Sequence, residues 1–311
     1  MTRKHALIAA AGFVVAMLIA LVVQDYTLNV LFRVALFAAL GLAWNLVGGY
    51  AGQLALGNAA FFGIGAYGLA LFHNRLGAPL PVAMLLSAIT AVGAAALIGR
   101  VAFRLRGPYF ALSTIAFAEV LRLTAKNLDD FTGGDVGLQV PALFATDPAR
   151  WSYWCAVVLT AAVFTTTAVI TRSRLGYALQ AVREDEDTTL ACGIDPARTK
   201  LTAFLISAAF TAVGGALHAS LYFYIVPDSV LHIEYSEKAA IVAMLGGAGT
   251  LVGPIVGAVV LETASELFKT WFHEAHQLIY GLLLVVVVLF LPHGIVGSVI
   301  KTRWWQRRTA K

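Results

Sequence analysis

Leu80 to Gly99 reads LPVAMLLSAITAVGAAALIG, twenty residues without a charge, followed directly by Arg100. An α-helix rises about 1.5 Å per residue, so the run spans about 30 Å, the thickness of a bilayer's hydrocarbon core. Four further uncharged runs approach or exceed that length: Ala6 to Val23, Leu201 to Pro227, Ala239 to Leu261 and Ala275 to Ile300. The 311 residues are 59% apolar and 13% charged, with a mean hydropathy of +0.80, whereas an average soluble domain carries about 25% charged residues. A soluble globule is excluded, and the expected fold class is all-α: a single polytopic membrane domain over residues 1–311. With 22 basic and 17 acidic residues the formal charge is +5. In so sparsely charged a chain, that excess points to basic loops at the bilayer surface rather than to nucleic acid.

Working outward gives nine apolar segments: Ala6 to Val23, Leu28 to Val47, Gly49 to Phe72, Leu80 to Phe103, Pro108 to Thr124, Trp151 to Thr171, Leu201 to Ile225, Ala239 to Leu261 and His276 to Leu291. The first follows Arg3-Lys4-His5; it exceeds the 7 to 15 residues usual for a signal peptide and no convincing A-x-A site follows, so it is expected to stay as a span. With the amino terminus cytoplasmic, the inner side collects Arg3, Lys4, Arg100, Arg104, Arg106, Arg172, Arg174, Arg183, Arg198 and Lys200, and the outer side only Arg75, Arg122, Lys126, Arg150 and Lys238. Nine full crossings would put the basic tail 301–311 outside, against the positive-inside rule. One segment must therefore fold back, leaving about eight full spans. Ala239 to Leu261 is the choice, because Gly246-Gly247-Ala248-Gly249 and Gly253-Pro254 interrupt it and glycine and proline break helix interiors. Broken backbone at membrane depth needs surrounding protein or a water-filled cavity, so the segment borders a pathway or an interface; the alternative is a glycine-rich span packed closely on a neighbour.

A second irregular stretch runs from Gly48 to Asn58. Gly49 to Gly57 and Gly246 to Pro254 are identical at four of nine positions, a hint of the repeated halves found in transporters. Polar groups at membrane depth are functional candidates. Asn45, Gln53, Asn58 and Tyr67, with Gly247 and Gly249 of the broken segment, are the candidate lining of a route for a small polar solute; the competing role for Asn and Gln is hydrogen bonding between helices. Neutral lining suits a zwitterion better than a bare ion. Glu119 and Arg122, three apart on one helix, read as a structural ion pair. Arg33 lies about four residues from a span end and is expected to reach the headgroups. Fifteen of the seventeen acids fall in loops or segment ends, leaving Glu119 and Glu262, so a proton relay finds little support.

The loop 172–200 is the most informative. Tyr177 to Cys192 reads as one amphipathic helix: Leu179, Val182 and Leu190 share a face, Arg183 to Asp187 are polar, and Gly193 suits the cap. Its acidic centre disfavours an anionic lipid surface and favours docking onto a basic protein partner. Nucleotide phosphates need a backbone cradle such as G-x-x-x-x-G-K-[ST], which the sequence lacks, so ATP energy must come from another subunit. Cys155 and Cys192 form neither a disulfide framework nor a zinc site. His273 and His276, at i and i+3, do not make an H-E-x-x-H metal motif, and no metal or cofactor is expected.

Four blocks of residues resemble the permease subunits of bacterial branched-chain amino acid ATP-binding cassette importers. They are Asn45 to Tyr67; Arg104 to Leu112 with Ala116 to Arg122; Ser173 to Leu179 with Arg183-Glu184 and Gly193-Ile194-Asp195; and Leu245 to Pro254, joined by Leu291 to Ile295. The pattern departs at Asn58 and Ala55, where the family often carries His and Ser. The resemblance implies a heteromeric importer in the bacterial inner membrane: this permease, a second homologous permease, two cytoplasmic ATPases that bind the ATP, and a periplasmic solute-binding protein. It further implies that Ala178 to Cys192 is a coupling helix in which Leu179, Val182, Arg183, Glu184 and Gly193 meet an ATPase. Related permeases carry urea or short amides, and an ion-coupled secondary transporter is the remaining alternative.

Overall fold

The computed structural model describes residues 3–105, 107–144, 146–271 and 294–298. In chain order the elements are α1 (Arg3–Ile19), α2 (Asp25–Asn45) continued by a π-helical turn (Leu46–Tyr50), α3 (Asn58–Leu76), α4 (Leu80–Ala102), α5 (Pro108–Asn127), α6 (Asp129–Thr132), β1 (Leu138–Gln139), α7 (Pro148–Ile170), α8 (Arg174–Glu184), α9 (Glu186–Ala191), α10 (Pro196–Tyr222), β2 (Tyr224–Ile225), α11 (Pro227–Val230), α12 (Glu234–Gly246) and α13 (Gly253–Trp271). Helices dominate, as the hydropathy requires. The one strand pair among the described residues is short, Leu138 opposite Ile225 and Gln139 opposite Tyr224, antiparallel. Among the described helices, Asp25–Tyr50, Leu80–Ala102, Pro148–Ile170 and Pro196–Tyr222 are long and apolar enough to cross a membrane. Proline in the first turn starts α4, α5, α7 and α10; its fixed φ suits that turn and its missing N–H costs nothing there.

Two helices organise the bundle. In α2 every residue from Ala35 to Val47 is buried, the mark of a helix enclosed on all sides, and it packs against α7, α13, α12 and α10. Helix α10 lies against α3 and α4. The α3–α10 crossing is set by two glycines: a Cβ at Gly65 would lie 1.9 Å from the Ala212 carbonyl oxygen, and one at Gly215 would lie 1.9 Å from that of Phe62. Apolar side chains gain nothing by leaving lipid for one another, so close backbone approach through small residues supplies the dispersion contact that holds such helices.

Within the bundle the structure alters three sequence expectations about the spans. Gly49 to Phe72 is not one helix; residues 51–57 are non-helical and α3 begins at Asn58. Ala239 to Leu261 is broken as expected, but its second arm continues to Trp271. The arms form an antiparallel hairpin: a Cβ on Gly257 would meet the Val242 carbonyl at 2.0 Å, and Lys238 pairs with Glu262. Its tip lies beside Gly49 and Arg183, at the end of the bundle that carries α8 and α9, rather than midway along α2. The turn requires glycine there, since φ is +127° at Gly247 and +77° at Gly249. Third, Arg33 does not reach outward. Its guanidinium turns to Glu266 at 2.5 Å and Glu262 at 3.7 Å on α13, because those carboxylates enter the helical register once α13 is longer than its apolar run. The segment His276 to Leu291, the pair His273 and His276, Arg106 and the tail 301–311 lie outside the described residues.

Candidate functional site

At one end of the bundle the two glycine-rich segments meet. The Asn45 side chain, fully buried at the last turn of α2, accepts from Gly249 N–H at 2.8 Å through Oδ1 and donates to Thr250 O at 2.9 Å through Nδ2. Gly49 is pressed against this clasp: a Cβ would lie 1.8 Å from Asn45 Oδ1 and 2.4 Å from Gly249 N. Arg183 of α8 donates to the Gly49 carbonyl at 2.7 Å. One chain of contacts thus joins the loop helix, the π turn after α2 and the tip of the α12–α13 hairpin. Beside it lies a cleft of about 450 Å³ lined by Tyr50, Gln180, Ala181, Arg183, Glu184 and Gly249.

The loop itself differs from the single helix expected over Tyr177 to Cys192. Helix α8 stops at Glu184, Asp185 is extended (φ −161°, ψ 122°), and α9 begins at Glu186 with Asp185 Oδ1 accepting from Thr188 N at 2.5 Å. The acidic run is the cause: carboxylates are favoured at a helix start, where free N–H groups and the dipole meet them, and disfavoured in an interior. Leu179 and Val182 are buried, but the break rotates Leu190 outward to 57% exposure. Gly193, at φ +83°, closes α9 with its N–H on Leu190 O, and Glu184 is exposed. Glu186 turns inward and accepts from Lys200 Nζ at 2.8 Å and from Gln53 Nε2 at 3.1 Å. Lys200 is 1% exposed, so this pairing is what allows its charge to be buried.

The residues proposed from sequence as one solute lining are therefore not gathered around one cavity. Asn45, Gln53, Gly247 and Gly249 belong to the junction just described, where the Asn45 amide binds the backbone of Gly249 and Thr250. Asn58, at the start of α3, is 3% exposed; its Nδ2 has no hydrogen-bond partner among the described residues. Tyr67 borders a separate apolar cavity of about 330 Å³ with Leu71, Phe72, Leu121, Phe131 and Leu231. Arg122 donates to both Glu119 oxygens, at 2.9 and 2.5 Å, and also pairs with Asp228. Lys126 Nζ sits 2.6 Å from Asp228; its hydrogen bond, with that of Arg122, holds the Asp228 carboxyl below its ordinary range. Among the described residues no group of three His, Cys, Asp or Glu is placed to hold a metal ion.

Toward the other end, sequence reasoning missed a polar cavity of about 410 Å³ between α2, α10, α11 and α12, lined among others by Arg33, Phe37, His218, Asp228, Tyr235 and Lys238. Tyr235 OH and His218 Nε2 share a hydrogen bond at 3.2 Å. Lys238 Nζ lies 2.6 Å from Glu262 and 4.0 Å from the Phe37 ring centroid. The available signal was the lone His218 inside an apolar run, together with Glu262 and Glu266 one turn apart, spaced to meet Arg33 on a single face.

Comparison with known proteins gives a consistent picture. A family model described as "Branched-chain amino acid transport system / permease component" matches residues 26–288. The high-affinity branched-chain amino acid transport system permease protein LivM of Escherichia coli K12 is 31% identical, covering 94% of this chain and 75% of its own length. The corresponding LivH of Salmonella typhimurium is 26% identical over 84% of this chain and 91% of its own. BraD of Pseudomonas aeruginosa, a permease protein of the same system type, is 34% identical over 45% of this chain and 46% of its own.

Proposed function

Because the chain belongs to the branched-chain amino acid transport system permease family, we propose that it is the membrane-embedded conduit of an ATP-driven importer for branched-chain amino acids. Its relatives are permeases of branched-chain amino acid transport systems, which favours this reading over a urea or amide permease and over an ion-coupled carrier. The end bearing α8 and α9 is taken as cytoplasmic, since Arg100, Arg104, Arg172, Arg174, Arg183 and Arg198 lie on the helix ends and connections there and Lys and Arg collect on that side of a bilayer. Both termini are then cytoplasmic and the protein resides in the bacterial inner membrane. Its partners in this reading are a second homologous permease, two ATPases that hold the nucleotide, and a periplasmic solute-binding protein.

One observation carries the mechanism: the contact from Arg183 to Gly49, continued through Asn45 to Gly249 and Thr250. The exposed side of α8 and α9 docks on an ATPase, and the buried side, Leu179 and Val182, fixes the pair to the bundle. A displacement of α8 then pulls on the Gly49 carbonyl, at the π turn of α2, and through the Asn45 clasp on the hairpin tip. Rigid helices pass such a shift along their length, so closing of the ATPases opens and closes the route through the bundle. No nucleotide chemistry occurs on this chain.

The experiment is reconstitution. Purified in mild detergent, the chain co-elutes with a second hydrophobic subunit and an ATPase, and the complex in proteoliposomes imports labelled leucine only with ATP and the receptor. Glu184→Lys at the exposed end of α8, or Gly193→Pro at the close of α9, abolishes uptake while the protein still inserts. Normal uptake in both variants removes the coupling role of α8 and α9; uptake by this chain alone, driven by an ion gradient, overturns the importer reading.

A further inference from the structure

We propose that the cavity between α2, α10, α11 and α12 is a binding subsite for an aliphatic α-amino acid in its zwitterionic form, held within this chain. The inference rests on the function proposed above and supplies the solute contact that the junction at the opposite end, where Asn45 binds backbone groups of the hairpin tip, does not.

The argument is one of directed charge. Arg33 and Lys238 line the cavity, while the carboxylates that neutralise them, Glu262 and Glu266, do not. Arg33 pairs with Glu266 and Glu262, and Lys238 with the buried Glu262, while both cations border the cavity. Asp228 lines it from α11, and its partners Arg122 and Lys126 do not; Glu234 adds a second carboxylate. One wall is positive and another negative. A single ion would be drawn to one and repelled by the other, and an uncharged amide would gain little from either. A zwitterion places its carboxylate on the Lys238 side and its ammonium on the Asp228 side. Lys238 retains capacity for this, because an ammonium has three donors and among the described residues one carboxylate, that of Glu262, pairs with it.

The remaining lining accounts for an aliphatic side chain. Leu36 and Phe37 face the cavity. Tyr235 is held rigid between Phe37 (6.1 Å, 10°) and Phe62 (4.2 Å, 19°) and tied to His218. Rigid aromatic walls with a few placed charges, in a volume of about 300 Å³ or more, are what small-molecule sites have in common, and about 410 Å³ meets that size.

Binding of labelled leucine to the complete importer in nanodiscs, without the solute-binding protein, tests the proposal. The wild type should bind saturably and be competed by valine but not by leucinol, which lacks the carboxylate. The double variant Lys238→Met with Glu262→Gln removes a buried pair together and strands neither charge; its affinity should fall at least tenfold. His232→Trp, at an exposed position on the rim, adds bulk without touching the core and should weaken leucine binding more than alanine binding. Wild-type affinity in both variants, or competition by leucinol equal to that by valine, overturns the subsite while leaving the importer reading intact. An importer that moves leucine yet shows no receptor-free binding also overturns it. A wild-type complex that imports no branched-chain amino acid defeats the functional reading itself, and the subsite with it.

Discussion

Asn45 shows how much one buried amide decides. It meets two backbone groups of a turn more than two hundred residues away, and both would be left unpaired by truncation. A buried group without its partner costs about 1–3 kcal/mol, so Asn45→Ala is expected to destabilise the protein by a few kcal/mol, seen as a lower thermal midpoint in detergent. Gln53→Ala makes a useful contrast: Glu186 keeps its shorter contact to Lys200, so the midpoint should fall much less. A drop for Gln53→Ala equal to that for Asn45→Ala would refute this ranking. Both residues were singled out from sequence because amides are expensive at membrane depth. Whether such an amide serves a solute or the backbone depends on what stands opposite it, which no local pattern encodes.

At the scale of elements, the loop 172–200 is instructive. The apolar spacing of Leu179 and Val182 and the glycine at 193 were legible, since they follow from helical period and cap chemistry. The break at Asp185 was written there too, as an Asp followed three residues later by Thr188, but a run of acids reads equally as a solvated helix face. Removing that cap by Asp185→Ala should cost about 1 kcal/mol and reduce the helical signal of the loop. It should also impair transport, because α9 would no longer hold Glu186 toward Lys200 and Gln53. Amide hydrogen exchange across residues 184–193 measures the first effect; unchanged protection there would contradict the capping role. The broken segment 239–261 was foreseen on its glycines, whereas the length of α13 was not: the sequence pattern ends at Leu261, where the first glutamate appears, and the helix continues because Glu262 and Glu266 find Arg33 and Lys238.

For the molecule as a whole, the α3–α10 contact is the most exacting. A side chain at Gly65 would enter the Ala212 carbonyl, and one at Gly215 that of Phe62, with backbone rather than a pliable side chain on the other side. Gly65→Leu or Gly215→Leu must therefore push two central helices apart, and each is expected to abolish the monodisperse detergent-solubilised protein. Gly12→Leu, where nothing lies within 4 Å, should leave it intact. A well-behaved Gly65→Leu protein would show that the bundle tolerates separation there and that the close crossing is not what orders it.

The amino-acid sequence alone determined that the chain is predominantly helical, that it carries helices apolar enough to cross a membrane, and where several of those helices begin and end. These follow from hydropathy over twenty residues and from proline and glycine punctuation, all local properties. Only the tertiary structure decided that the glycine segments at 49 and 249 touch, that Arg183 grips the first of them, and that Arg33, Lys238 and Asp228 surround one cavity with opposite signs on its walls. Those are pairings between residues far apart in the chain, fixed by which helices lie side by side, and the free energy that selects them comes from close packing and from the need of every buried charge for a partner.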